Sequence, residues 1–419
     1  MGFDLGTTAV NVSGNFTNGI PIINYPSNIN MSIKLFLLLS FWTGIAEAQS
    51  YRRIHNKAIL VDTHNDFLSK VMEHNFSLDA DLKGKTHSDL ARFKTGGLDV
   101  QFFSVWSDGN QKNPFAFANR QIDSLDAVIK RNPAKIVKTG TVKEILEVVK
   151  ENKIAALIGL EGGHQIENSL ENLDLLYKRG TRYITLTWNN STDWATSAFD
   201  EKTNPAFKGK GLSGFGREVV QHMNKLGMLV DVSHVGEKTF WDIMETTTKP
   251  IIASHSSVYT LCPFRRNLKD EQIKAIARNN GVIQINFNSG FIDSTEMRRE
   301  DAFIKIHQAE YDSLQHATNS EYIAEEMIHN KYRNESDKLR APLALLIEHI
   351  EYVIRLVGVD YVGIGSDFDG IVVPPQQLDD VSSYPLITKA LIEKGYAQKD
   401  INKILGGNLL RVLKANELK

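Results

Sequence analysis

One cysteine in 419 residues, Cys262, excludes an intrachain disulfide and a thiolate-held zinc cluster. A metal in this chain has only imidazole and carboxylate to hold it. Between Leu261 and Pro263 that cysteine reads as a small packing residue rather than a nucleophile. Charge of one sign is also missing: 48 Lys and Arg face 50 Asp and Glu, a net charge of −2 with no long basic run. Nothing favours nucleic acid or an anionic membrane surface as partner, and small-molecule chemistry is the starting expectation. Repeats, Pro-rich linkers and low-complexity blocks are absent from 49–419, so this stretch reads as one domain, long for a barrel yet within its range. With 42% hydrophobic and 23% charged residues, a substantial core can be buried.

The chain also lacks an apolar run of the ~20 residues that a membrane span needs. What it has is Met31-Ser-Ile-Lys34, the short apolar run 35–42 and the small-x-small sequence Ala46-Glu-Ala48. That is the form of a signal peptide, 31–48, so export to the periplasm or exterior with cleavage near Ala48 is expected. Residues 1–30, polar and rich in Asn and Gly, have no targeting pattern and read as a non-native or disordered extension. The segment 408–419 reads as a polar-flanked helix rather than a hydrophobic lipid-anchor tail, so no stable membrane anchor is expected.

Eight short segments rich in Val, Ile, Leu, Phe and Thr recur at 58–63, 97–105, 154–160, 182–187, 228–233, 250–254, 281–287 and 361–366. Helical stretches such as 167–178, 215–226, 238–246 and 270–278 lie between them. Near-continuous apolar strands alternating with amphipathic helices imply a parallel sheet covered by helices, and eight such units predict an α/β fold, the (β/α)8 TIM-type barrel. The excess length sits in a polar excursion, 66–96, after strand one and a charged helical insertion, 288–341, after strand seven. Both leave carboxyl ends of strands, where barrel active sites lie, so both are candidate lids.

Polar residues follow the apolar runs at those same ends. Strand one runs into Val61-Asp-Thr-His-Asn-Asp66, strand three into Glu161-Gly-Gly-His164, strand five into Val230-Asp-Val-Ser-His234 and strand six into Ser254-His255. Period-two geometry aims His64 and Asp66 at one point, and a barrel gathers all these ends round one mouth. His64, Asp66, Glu161, His234 and His255 supply three imidazoles and two carboxylates. That is too many for one catalytic zinc, which takes three protein ligands and a water, but it suits two Zn2+ sharing a carboxylate. Glu161 is the natural bridge, because a carboxylate has two oxygens to offer. A lone strand-end histidine is ordinarily structural; five ligands at consistent positions are not. His164, behind two glycines, reads as support for Glu161 or its loop. His55, His74, His87 and His222 read as surface or helix residues. Strand eight adds Asp367 and Asp369, one of which should handle protons, and periodicity does not choose between them. Arg265 or Arg266 could clamp a substrate carboxylate.

These stretches, with Arg265-Arg-Asn267, Gly365-Ser-Asp-Phe-Asp-Gly370 and Gly406-Gly-Asn408, run in order along nearly the whole chain and resemble the renal, or membrane, dipeptidase family. The resemblance implies a binuclear zinc peptidase acting on a small dipeptide. His64 and Asp66 would hold one zinc, His234 and His255 the other, and Glu161 would bridge them. By the same carry-over Arg266 would bind the substrate carboxylate, and Asp367 would contact its amine and manage the proton. A homodimer is a further family expectation. One departure stands out: family members often carry Leu-Thr-His at the end of strand four, where the imidazole stabilises the tetrahedral intermediate, and here the sequence is Leu186-Thr-Trp188. Indole donates but cannot titrate near neutrality, which leaves oxyanion stabilisation to Trp188, Asn189, Asn190 or the metal, and substrate preference open. The single cysteine and missing tail signal speak against the disulfide-linked, lipid-anchored form of mammalian members. Two rival readings remain at this point: another binuclear amidohydrolase, such as a lactonase, or a decayed binding protein. Many of the former bridge their metals through a carboxylated lysine on strand four, which has none at the expected place.

Overall fold

The computed structural model describes residues 51–318 and 320–418, together with a short antiparallel pairing of Phe16–Thr17 with Ile20–Pro21. The proposed leader at 31–48 and most of the extension at 1–30 lie outside the described residues. The chain divides into two compact units, Met1–Arg53 and Ile54–Lys419. The second unit carries the barrel.

Eight parallel strands form its centre: β1 (Val61–Asp62), β2 (Val100–Trp106), β3 (Ile154–Glu161), β4 (Thr181–Thr185), β5 (Leu229–Asp231), β6 (Ile252–Ala253), β7 (Val282–Ile285) and β8 (Val362–Ile364). Each pairs with the next in sequence. The seam between first and last is drawn together by backbone bonds from Thr63 N to Ile364 O (3.2 Å), Asp66 N to Phe368 O (2.9 Å) and Asp367 N to His64 O (3.1 Å). Five of the eight strands lie inside the segments that the hydrophobic runs predict, and β2, β3 and β4 overrun theirs by one residue, at Trp106, Glu161 and Thr181; the fold is the TIM-type barrel. A further strand, Ile136–Lys138, pairs in parallel with the start of β3. At three residues it is too short to show a period of its own.

Alternation sorts the strand residues into two cores. Val61, Val100, Phe102, Ala155, Leu157, Tyr183, Leu229, Ile252 and Val282 form one buried cluster, joined by Leu409, Val412 and Leu413 of the C-terminal helix Asn408–Asn416. The opposite faces, including Phe103, Val105, Ile158, Ile184, Val230 and Ile283, pack in a second cluster with the surrounding helices. Close approach inside the barrel is possible because Gly159 has no side chain: a Cβ there would lie 1.9 Å from the Tyr183 ring. The helices begin where capping residues permit. Ser169 caps Leu170–Lys178, three residues later than the periodicity suggests because Glu167 turns left-handed at φ 51°. Ser213 and Asp89 do the same for Gly214–Leu226 and Leu90–Thr95.

After β7 come Glu296–Ile306, Gln308–Thr318 and Glu321–Lys331, with a small core of their own made by Phe303, Ile328, Leu339 and Val373. This insertion is tied to helix Phe67–His74, the element that follows Asp66, through Lys70 and Glu326 at 2.7 Å. Among the described residues, no helix is long and apolar enough to cross a membrane.

Candidate metal centre

Parallel strands deliver all their carboxyl ends to one mouth, and there the inward positions turn from apolar to polar within a few residues. On β3 the inward series Ala155, Leu157, Gly159 ends in Glu161; on β5 Leu229 is followed by Asp231 and, past the strand, His234. His234 and Asp367 both have φ of 64°, a left-handed backbone that a non-glycine residue adopts at a cost. Gly370 clears space beside Asp66 and Asp367, since a Cβ there would sit 2.2 Å from Asp66 Oδ2 and 2.6 Å from Asp367 Oδ1.

The five predicted ligands converge. His64 Nε2 lies 3.4 Å from Asp66 Oδ2 and 3.2 Å from Glu161 Oε2, while Asp367 Oδ1 stands 3.9 Å away. The other oxygen of Glu161, Oε1, is 2.9 Å from His234 Nε2 and 3.6 Å from His255 Nε2. Those two imidazole nitrogens are 3.1 Å apart. Glu161 therefore faces a different ligand set with each oxygen. None of the five is more than 8% exposed.

Three carboxylates crowded out of water call for positive charge. Burial works against a charged His64, yet Tyr183, Glu161 and Asp66 together hold its pKa well above the ordinary value. Burial likewise opposes ionised Glu161, and His64 and His234 nevertheless pull it well below the carboxylate range. Asp367 goes the other way: burial, then the carboxylates of Asp66 and Glu161, raise it well above its usual value. Burial lowers His234 to about 3, with the Arg266 guanidinium adding to the effect, and holds His255 well down too. A metal cation between these groups would supply the charge that a proton on His64 otherwise supplies. Asp66 Oδ1, buried and without a hydrogen-bond partner, fits the same conclusion. The donor set of neutral imidazole nitrogens and carboxylate oxygens is one that zinc accepts.

The remaining predicted residues separate cleanly. Asp367 faces the ligands and accepts from Asn286 Nδ2 at 2.8 Å. Asp369 turns away to the excursion after β1, where its Oδ1 accepts from His87 N at 2.6 Å. Arg266 is buried, with Nη2 3.4 Å from the His255 carbonyl and Nε unpartnered. Burial lowers its pKa to about 10. Arg265 instead lies over the rings of Phe264 and Phe199. Trp188 packs edge-on against Trp106, ring centres 5.0 Å apart, and lies 6.4 Å from the His234 ring. His164 bonds Ser107 Oγ at 2.9 Å and so holds the β2 loop, while Gln165 Nε2 holds the Glu161 carbonyl at 2.7 Å.

His55 is not on the surface. It is fully buried, with Nδ1 on Thr388 Oγ1 at 2.7 Å and Nε2 on the Gly96 carbonyl at 2.8 Å, and keeps a structural role. Sequence reading also missed three groups at the site: Ser104, whose Oγ donates to Glu161 Oε2 at 3.1 Å, Asn286 and Tyr183. Asn286 carried a usable signal, as the polar residue directly after the run of β7. Ser104 and Tyr183 sit within apolar strands and carried none.

Comparison with known proteins gives the family. Residues 48–419 match the family described as Membrane dipeptidase (Peptidase family M19). An uncharacterized dipeptidase of Schizosaccharomyces pombe is 32% identical over 391 residues, covering 88% of this chain and 83% of its own. Among solved structures, the probable dipeptidase PvdM from Pseudomonas aeruginosa superposes with a TM-score of 0.71 at 23% identity, over 88% of this chain and 98% of the other. A metallo peptidase from Rhodobacter sphaeroides, liganded with a phosphinate mimic of the dipeptide L-Ala-D-Ala, gives 0.69 at 22% identity, over 86% of this chain and 100% of the other. At these identities the two structures speak for the fold.

Proposed function

Because the chain belongs to the membrane dipeptidase family, we propose that it is a zinc-dependent dipeptidase with two metal positions at the barrel mouth, cleaving dipeptides that end in a free carboxylate. The observation that carries this reading is the two-sided placement of Glu161, with Oε2 toward His64 and Oε1 toward His234 and His255. His64 and Asp66 would hold one zinc and His234 and His255 the other, with Glu161 placed to serve both. When bound, zinc supplies Lewis acidity toward a peptide carbonyl and a nucleophile from water near neutral pH.

The chain's own groups do the rest. Asp367 takes a proton from the attacking water on its carboxylate and returns it to the leaving amine, a role supported by its place at the mouth, with Oδ1 3.9 Å from His64 Nε2 and Oδ2 held by Asn286. Arg266 anchors the substrate carboxylate with donors that the protein leaves largely unused. Trp188 lines the mouth beside His234 and offers an indole N–H where the family pattern has an imidazole. Acceptance of a D-residue at the second position is part of the proposal, supported by the L-Ala-D-Ala mimic bound in the Rhodobacter relative. So is export with cleavage near Ala48, supported by the leader pattern and a family match that starts at residue 48.

Metal analysis followed by a screen of L,L, L,D and Gly-containing dipeptides tests the activity. Arg266→Ala tests the anchor: KM for free dipeptides should rise by ~10–100-fold, the scale of a charge-assisted pair, and far less for C-terminal amides. Equal effects on both substrates remove that role from Arg266.

A further inference from the structure

Two hydroxyl groups stand behind the imidazoles. His64 Nδ1 lies 2.7 Å from the phenol oxygen of Tyr183, and that phenol donates to the Thr63 carbonyl at 3.0 Å. A carbonyl only accepts, so the one phenol proton is committed there and the oxygen has lone pairs alone to offer His64. Across the barrel different residues build the same logic. His255 Nδ1 lies 2.8 Å from Ser254 Oγ, which donates to Asp231 Oδ2 at 2.6 Å. Asp231 in turn accepts the N–H groups of Ser233 and Ser254 on Oδ1, at 3.0 and 2.8 Å. Tyr183, Thr63, Ser254 and Asp231 are all fully buried, so water does not compete for these bonds.

We propose that Tyr183 and Ser254 are positioning residues, one for each metal position, which hold His64 and His255 with the proton on Nδ1 and the Nε2 lone pair toward Glu161. The inference rests on the reading of these Nε2 atoms as zinc ligands. His234 has no such group: its Nδ1 is buried without a hydrogen-bond partner, and its backbone turns left-handed. Each position therefore has one imidazole with a fixed tautomer, and the pair His234 and His255 depends on Ser254 for its own.

The test titrates zinc alone into chelator-stripped protein against a competing chromophoric chelator, with the melting temperature of the stripped protein recorded beside it. Tyr183→Phe keeps the ring that stacks on Phe102 and should weaken one of two zinc-binding steps by ~10–100-fold while sparing the other. Ser254→Ala should weaken the opposite step by a similar factor, and Ser254→Thr, which retains the hydroxyl, should restore it. Zinc steps unchanged in both variants, or both steps weakened alike in each with a lowered melting temperature, would overturn the proposal. The expected zinc pattern without dipeptide turnover would fault the functional reading alone; turnover with unshifted zinc steps would fault the positioning role alone.

Discussion

At the base of the barrel the inward positions are Val100, Phe102, Ala155, Leu157 and Leu229, all fully buried and all apolar. A few residues further along the same strands, inward positions carry Ser104, Glu161 and Asp231, with His234 just beyond. Burying each large apolar side chain at the base stabilises the fold by ~1.5–3 kcal/mol. The mouth does the reverse: it packs carboxylates together away from water and holds His234, Asp367 and Asp369 in left-handed backbone, each an expense to stability. One end of each strand thus makes stability and the other spends it on a geometry that binds charge. The difference teaches that position along the strand, more than residue type, separates the two roles.

Substitutions at the two ends should therefore fail in different ways. Glu161→Gln alters the carboxylate whose two oxygens face the two ligand sets. Zinc content and turnover should fall together, turnover by ~10³-fold or more, since Lewis acid and nucleophile are lost at once. Circular dichroism should still report a folded barrel, because no contact at the base has changed; an unfolded variant would break the division between the ends. Leu157→Ala makes the complementary cut. It should cost about 2–5 kcal/mol in urea denaturation by leaving a cavity inside the barrel. Zinc affinity of the folded fraction should stay at the wild-type level, and a loss of affinity without a loss of stability would show that base and mouth are coupled.

Both ends were legible in sequence to the extent that their signals are local. Apolar runs located all eight strands, and polar residues within a few positions of a run's end located His64, Glu161, His234 and His255. What escaped depends on contacts between distant parts of the chain. Tyr183 reads as one more apolar strand residue until its phenol is seen on Thr63, 120 positions away. Asp367 and Asp369 are two apart and share left-handed backbone, so local geometry gives no reason to separate them. Only the partners do: Asn286 and His64 for the first, the backbone of His87 for the second. His55 carries no hydrophobic signal, and its burial follows from Thr388 and Gly96, which the fold brings to it.

The smallest effect concerns a charge at the quiet end. Asp99 precedes β2 and accepts from Leu60 N at 2.9 Å, and burial pushes its carboxyl from 3.8 up to about 6, against the pull of that bond and of Lys94. The folded state then holds this proton more tightly than the unfolded chain does. Between about pH 4 and pH 6 the native protein binds the extra proton, so the stability contributed by Asp99 is full below that window and is lost as pH rises through it. Two pH units correspond to a ceiling of about 3 kcal/mol, and partial exposure brings the expectation to ~1–2 kcal/mol. Asp99→Asn keeps an oxygen for the Leu60 N–H and removes the ionisation. It should stabilise the protein by that amount at pH 7, measured by urea denaturation, and have almost no effect at pH 4. Turnover at saturating dipeptide should be unchanged at pH 7, because this carboxyl belongs to the base. A variant less stable than the parent at pH 7 would mean that the base, like the mouth, is organised around a charge.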